Sequence, residues 1–306
     1  MDEHGINPIK ELKLVSTYKK LFKRINPDIV LIYTIKPNVY AAFVRASMKI
    51  PYIANITGLG IAVEDSRGIK QKLMLALYKH GLRKAKKVFF QNETNLDFML
   101  RRGIIKSDYE LIPGSGVNLE RYKCLDHPHG DTVDFTFIGR LLRQKGIDLY
   151  LETARIIRQR HPETRFHICG SGEKEYTDLL AKLNDEGQVV YHGRIDDIAG
   201  MHAVSCCTIH PTYYPEGMSN VLLESCACGR PVITTDRAGC REAVEVGVNG
   251  YLVKERDIDD LIEKVETFLA LGWDEQRNMG LAGRAKVEKE FDRNIVINKY
   301  IEAIEN

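Results

Sequence analysis

The sequence predicts an α/β fold of parallel sheets in two doubly wound domains, the first short of its opening strands. Three observations predict it. Short apolar runs alternate with helical patterns along the 306 residues, the order that gives parallel sheets covered on both faces. The rhythm breaks once, at the polar stretch NLERYKCLDHPHGDTV (118–133), and then restarts, so there are two domains. The chain opens on a helical pattern and not on a strand with a glycine-rich turn, so the first domain is expected to be incomplete or unusually small.

In order, residues 8–25 carry a helical pattern. DIVLIYT (28–34) follows as a strand, 38–48 as a helix and PYIANI (51–56) as a strand. Residues 69–84 read as a helix, KVFFQN (87–92) as a strand, 94–102 as a helix and YELIPG (109–114) as a strand. After the linker, DFTFIGR (134–140) is a strand and IDLYLETARIIRQRH a helix. RFHICGSG (165–172) is a strand running into glycines, and EYTDLLAKLN a helix. QVVYHGR (188–194), CCTIHPT (206–212), PVITTD (231–236) and GYLV (250–253) are strands, with a helical run, NVLLESCACG, between the second and third. The tail is helical over DIDDLIEKVETFLA and IVINKYIEAI.

The totals narrow the class. No run approaches the roughly 18 apolar residues of a membrane span, and MDEHGINPIKELK is no secretory signal. The seven cysteines are odd in number and form no C-x-x-C pair. They read as buried thiols of a cytoplasmic protein, not as disulfides or zinc ligands. The formal charge of +2 hides an asymmetry. Residues 1–110 hold 20 Lys and Arg against 10 Asp and Glu, and residues 111–306 hold 24 against 32. The basic part suits an anionic surface, lipid headgroups or a phosphate-bearing acceptor, or is a solvated lysine-rich face.

The chemistry concentrates at strand ends in the second domain, where open α/β sheets bind ligands. Gly139, Arg140 and Lys145 follow one strand, Gly170, Ser171 and Gly172 the next, and Gly193 and Arg194 a third. YYPEGMSN precedes a helix whose first free N–H groups run from about Gly217 to Asn220, a start that attracts phosphate. Arg140 and Lys145 supply two cations opposite it. Each piece alone is common; together they indicate a nucleotide-diphosphate ligand. Glu216 and Glu224 bracket that helix start, with seven residues between them. Eight helical residues rise about 12 Å, the span from a sugar across a diphosphate to a ribose. Glu216 is then placed to accept sugar hydroxyls and Glu224 both ribose hydroxyls. The plainer alternatives are a helix-start acid at Glu216 and a solvated residue at Glu224. The second fits poorly, because NVLLESCACG is too apolar for an exposed face.

The segments GRLLRQKG, CGSGE, HGRIDD and EGMSNVLLESCACGRPVITTD, with GCREAVEVGVNGYLV, resemble the retaining glycosyltransferases of family 4. The resemblance runs from residue 8 to about 303. It implies the GT-B fold, two Rossmann-like domains facing a cleft, here with the N-terminal one incomplete. The front half resembles a bacterial subgroup that builds lipid-linked oligosaccharides, capsule and exopolysaccharide. The implied division is 1–117 for the acceptor-side domain, 118–290 for the nucleotide-sugar domain and 291–306 for a helix crossing back.

The resemblance also implies roles. Arg140, Lys145 and Glu216 would be catalytic, the cations holding the donor diphosphate and Glu216 the sugar 3- and 4-hydroxyls. Gly139, Gly170, Gly172, Arg194, Gly217, Met218, Ser219, Asn220, Val221, Leu222 and Glu224 would bind the donor, a UDP-sugar. Thr57, Gly58, Gly114, Ser115 and Gly116 would line the cleft. No metal and no cofactor is implied beyond the nucleotide sugar, so DIDD (257–260) reads as a helix N-cap. The partners implied are the nucleotide sugar and a saccharide or polyprenyl-diphosphate-linked acceptor, with peripheral contact at an anionic membrane and no nucleic acid.

Two departures stand out. Thr57 occupies a place where many members have His, so a role for that His does not carry over. Roughly 70 residues expected before GINPIKEL are absent, which would leave the DIVLIYT strand an open edge. That makes a catalytically impaired nucleotide-sugar-binding fragment or partner subunit the alternative reading. A sugar-nucleotide epimerase of similar shape fits the helix-borne glutamates less well.

Overall fold

The computed structural model describes residues 8–60, 63 and 68–306, which fall into two compact units. Residues 1–7 of the expected first domain lie outside the described residues. The first unit comprises residues up to Gly114, with Pro215–Met218 and Val296–Asn306; the second comprises Ser115–Tyr214 and Ser219–Ile295.

In the first unit, helices α1 (Pro8–Ile25), α2 (Ile35–Met48), α3 (Ile69–Leu82) and α4 (Glu93–Arg101) alternate with strands β1 (Val30–Tyr33), β2 (Tyr52–Ile56), β3 (Lys87–Phe90) and β4 (Tyr109–Leu111). The sheet is parallel, in the order β1-β2-β3-β4. Alternation along the strands assigns its two faces. Tyr52, Ala54, Ile56, Val88 and Phe90 pack with Ala41, Val44, Tyr78, Leu82 and Met99 from α2, α3 and α4. Ile53 and Phe89 point the other way, into a cluster with Val296 and Ala303 of α11 (Arg293–Glu305). There the Asn55 side chain donates to the Tyr300 hydroxyl at 2.7 Å, and Lys299 donates to Glu110 at 2.6 Å. Among the described residues β1 pairs with β2 alone, and Leu31 and Tyr33 on it are exposed.

The second unit has a six-stranded parallel sheet in the order β10-β9-β8-β5-β6-β7. Its strands are β5 (Val133–Ile138), β6 (Thr164–Cys169), β7 (Val190–Gly193), β8 (Cys207–His210), β9 (Val232–Thr235) and β10 (Gly250–Val253). Counted within this unit the order is 6-5-4-1-2-3, the doubly wound order with a switch point between its first and fourth strands, β5 and β8. The helices are α5 (Ile147–Arg160), α6 (Lys174–Asp185), α7 (Ile198–Val204), α8 (Asn220–Ala227), α9 (Ile258–Leu269) and α10 (Trp273–Glu290). One sheet face buries Phe135, Phe137, Phe166, Ile168, Ile209 and Ile233 with Tyr150, Ile157, Leu261, Val265 and Phe268. The other buries Ile138, Cys169 and Met201, with Val221 packed against them.

Every strand expected from the sequence is present, shortened by a residue or more at most ends. Among the described residues the sequence reading omits two helices, α7 and the 18-residue α10. Glycines at 280 and 283 break the helical pattern of α10, yet both serve packing. A Cβ on Gly280 would collide with the Gly229 carbonyl, and one on Gly283 would press on Cys226 at 3.3 Å. One cysteine differs from expectation: six are buried, but Cys124 is exposed. DIDD is a helix cap, with Asp257 accepting from the Asp260 N–H at 3.0 Å.

Candidate active site

The switch point opens because β5 changes neighbour along its length. It pairs with β6 over all six residues from Val133 to Ile138, but with β8 only at Phe135↔Cys207 and Thr136↔Thr208. Beyond that the C-terminal ends of β5 and β8 part, and the chain after each enters the gap. After β5 come Gly139, Arg140 and a 3-10 turn, Arg143–Lys145, that leads into α5. After β8 come Pro211 to Tyr214. The two returns are strapped together: the Gln144 carbonyl accepts from the Tyr213 N–H at 2.8 Å and from the Thr212 hydroxyl at 3.2 Å. Gly146 has φ +81°, and a Cβ there would overlap the Pro211 carbonyl, so only glycine permits the strap.

This strap presents the two cations. The Arg140 guanidinium lies 5.1 Å and the Lys145 ammonium 5.0 Å from the centre of the same Tyr214 ring. A ring face attracts each cation and so gathers two groups that repel each other. Lys145 is half-buried. Burial, followed by the nearby Arg140 charge, lowers its pKa to about 8, while Cys240 acts weakly the other way. An anion arriving here would neutralise the Arg140 charge and offset the cost of burial. Behind the lysine lies His210, buried and held neutral by burial and the Lys145 charge, its pKa near 3.

Helix α8 begins beside the same place. Ser219 is its extended N-cap (φ −82°, ψ 103°), and its N–H donates to Gly239 O at 2.7 Å, next to the Cys240 that feels Lys145. The first intrahelical bond is Leu223 N–H to Ser219 O, so the amides of Asn220, Val221 and Leu222 lie outside the helical ladder. Here the structure corrects the sequence reading twice. The Ser219 amide is engaged within the protein, and the helix starts at Asn220. Glu224 is therefore one turn into the helix, about 6 Å of rise from its start, not two turns. Leu222 is buried and Val221 half-buried in packing, so their side chains are taken up by the core and only their amides are left to meet a ligand.

Glu224 is half-buried, and burial raises its pKa. Two groups oppose that shift and favour the carboxylate: the Tyr122 hydroxyl and the Arg121 charge. Neither residue was singled out in the sequence, where both fell in what read as a linker. The remaining strand ends are locked by glycine. Gly170 and Gly172 approach the carbonyls of Gly139 and Leu141 so closely that a Cβ on either would collide, and Gly170 N–H donates to Gly193 O at 2.8 Å. Their first role is thus to let three strand ends converge. Arg194 is exposed beyond β7. Ser115 and Gly116 also fall in this unit, where Gly116 packs against the backbone of Arg293.

Glu216, Gly217 and Met218 belong by contact to the first unit, with Thr57, Gly58 and Gly114. The Asn92 amide donates to Gly217 O at 2.6 Å and to Glu216 O at 3.3 Å. Gly58 (φ +132°) faces Gly217 backbone to backbone, and a Cβ on Gly217 would sit 2.7 Å from the Thr57 carbonyl. Gly114 leaves room for the Met218 side chain in the same way. Asn92, which holds Glu216 and Gly217 through their carbonyls, carried no signal in the sequence beyond ending an apolar strand. Among the described residues no group of three or more His, Cys, Asp or Glu is arranged to hold a metal ion.

Comparison with known proteins gives the family and the fold. The family described as glycosyl transferases group 1 matches residues 126–286, and the glycosyl transferase 4-like family matches residues 2–92. An N,N'-diacetylbacillosaminyl-diphospho-undecaprenol alpha-1,3-N-acetylgalactosaminyltransferase of Campylobacter jejuni is 27% identical over 97% of this chain and 82% of its own length. The capsular polysaccharide biosynthesis glycosyltransferase CapM of Staphylococcus aureus is 25% identical over 96% of this chain and 82% of its own. Among solved structures, Anabaena Alr3699/HepE in complex with UDP-glucose has a TM-score of 0.80 at 20% identity, covering 98% of this chain and 84% of that one. Sucrose-phosphate synthase of Thermosynechococcus elongatus has a TM-score of 0.80 at 20% identity, covering 99% and 80%. The fold is GT-B.

Proposed function

Since the chain belongs to the glycosyl transferases group 1 family, we propose that this glycosyltransferase moves a hexose or N-acetylhexosamine from a UDP-sugar to a saccharide or polyprenyl-diphosphate-linked saccharide. The reaction retains the donor's configuration and forms an α-glycosidic bond. The observation that carries the reading is the pairing of Arg140 and Lys145 over one tyrosine ring beside the open start of α8. Two cations and three amides aimed at one place suit a diphosphate. The ribose then falls to Glu224, the base to the backbone near Arg194 and the sugar hydroxyls to Glu216. The UDP-bound neighbours and the lipid-linked substrate in the Campylobacter relative's name are consistent with this choice of donor and acceptor.

The chemistry follows from where charge develops. Departure of the leaving group places negative charge on the β-phosphate and positive charge on the sugar ring. Arg140, Lys145 and the α8 amides are fixed before reaction, so they stabilise the leaving group without reorganising. The acceptor hydroxyl attacks from the face the leaving group vacates, passing its proton to the departing phosphate. A polyprenyl-linked acceptor puts the enzyme at the cytoplasmic face of a membrane. No described helix is long and apolar enough to span one. Peripheral contact instead falls to α3 and the turn after it. Residues 69–86 hold six Lys and Arg and no acid, and α3 exposes Ile69 and Leu73.

The test is transfer from UDP-glucose, UDP-galactose and their N-acetyl forms to a polyprenyl-diphosphate saccharide, with the product's anomeric coupling read by NMR. An α-linked product supports the proposal. UDP binding without transfer from any donor to any acceptor would leave a nucleotide-sugar-binding protein in its place.

A further inference from the structure

The polar strap 118–122, near the start of the second unit, makes a contact that the roles above do not use. We infer that Tyr122 is a positioning residue for Glu224, and that it sets how strongly the protein prefers a ribonucleotide to its 2′-deoxy counterpart. The inference rests on the reading that Glu224 holds the ribose.

Tyr122 is built to hold still. It is 6% exposed. Its N–H donates to Asn118 O at 2.9 Å, and the Asn118 side chain caps the turn by accepting from the N–H groups of Glu120 and Arg121. One Arg284 nitrogen donates to Tyr122 O and to Ala227 O, both at 2.8 Å. Ala227 is the last residue of α8, so the strap is fastened to the helix that carries Glu224. The His202 ring meets the Tyr122 ring edge-on at 6.5 Å, and Arg121 reaches across to the Asp196 carbonyl beyond β7 at 3.3 Å.

The Tyr122 hydroxyl, so fixed, faces the Glu224 carboxylate and favours its charged form. A carboxylate has about four lone-pair sites. Filling one from a rigid donor sets the rotation of the group and directs the rest at a diol. The hydroxyl also opposes the rise that burial gives the Glu224 pKa, and the Tyr122 phenol is itself pushed up to about 12, chiefly by its own burial. Without the hydroxyl, the carboxyl would turn and take up a proton more readily, becoming a poorer acceptor for both ribose hydroxyls.

Tyr122→Phe removes one oxygen and leaves the ring, so folding is preserved. Binding of UDP and of 2′-deoxy-UDP is measured by calorimetry on wild type, Tyr122→Phe and Glu224→Gln. The expected wild-type preference for UDP is roughly tenfold, the weight of one hydroxyl contact to a charged acceptor. Tyr122→Phe should cut it to roughly threefold or less through weaker UDP binding, with 2′-deoxy-UDP affinity and melting temperature little changed. A variant that keeps the full preference overturns the role of Tyr122 and leaves Glu224 as the ribose residue. Equal binding of the two nucleotides by wild type, undisturbed in Glu224→Gln, overturns the ribose reading and the inference with it.

Discussion

Lys145 offers the most quantitative consequence of the site. Burial and Arg140 hold its pKa at about 8 when no ligand is bound, and only the protonated form attracts a diphosphate. If binding requires that form, the apparent dissociation constant scales as one plus the deprotonated-to-protonated ratio. That factor is about 1.1 at pH 7 and about 11 at pH 9, so UDP affinity should fall roughly tenfold over those two units. UDP itself does not titrate there, since a terminal phosphate has its second pKa near 6. The assay is calorimetric titration with UDP at pH 7, 8 and 9 in buffers of differing ionisation enthalpy, which also counts the protons taken up. Lys145→Gln should bind UDP more weakly at pH 7 and lose most of the pH dependence. An equal slope in Lys145→Gln, or a flat wild-type profile, would refute the argument that this ammonium meets the diphosphate.

Other consequences follow from the same contacts. Lys145→Ala should lower turnover more than it weakens UDP-sugar binding, because the leaving group gains charge as it departs; steady-state kinetics with a UDP-sugar checks this. Tyr214→Ala should weaken UDP binding roughly fivefold by releasing both cations, whereas Tyr214→Phe keeps the ring and the affinity; fluorescence or calorimetric titration separates them. Gly217→Ala forces a methyl onto the Thr57 carbonyl and should cost about 1–3 kcal/mol in chemical denaturation. His202 and His210 are buried, with folded pKa values near 3 against 6.5. The unfolded chain therefore binds protons that the native state refuses, and stability falls as pH drops below 6.5, by about 1.4 kcal/mol per unit for each histidine. Urea denaturation at pH 7, 6 and 5 should show a shallower fall for His210→Leu.

Much of the fold was legible because its signal is local. Apolar runs such as DFTFI and RFHIC declare buried strands, and the alternation with helices declares parallel pairing. The parts that failed to show were those decided by distant contacts. The helical pattern of α10 is interrupted by Gly280, a residue whose reason is the Gly229 carbonyl lying 51 positions earlier. The strand-end cations and the helix start were readable, since charge after a strand and an Asn after a Ser are sequence patterns. Tyr214, Tyr122 and Asn92 were not, since an aromatic or amide in a loop looks alike whether it holds a catalytic neighbour or none.

The central claim is that a diphosphate lies on Arg140, Lys145 and the first amides of α8, with its ribose on Glu224. A crystal structure of the protein soaked with UDP tests it most directly. The account predicts phosphate oxygens within hydrogen-bonding distance of both cations and of the Asn220 and Val221 amides, and the ribose diol on the Glu224 carboxylate. UDP ordered elsewhere, with Lys145 still stacked on Tyr214 and Glu224 turned away from the nucleotide, would contradict it.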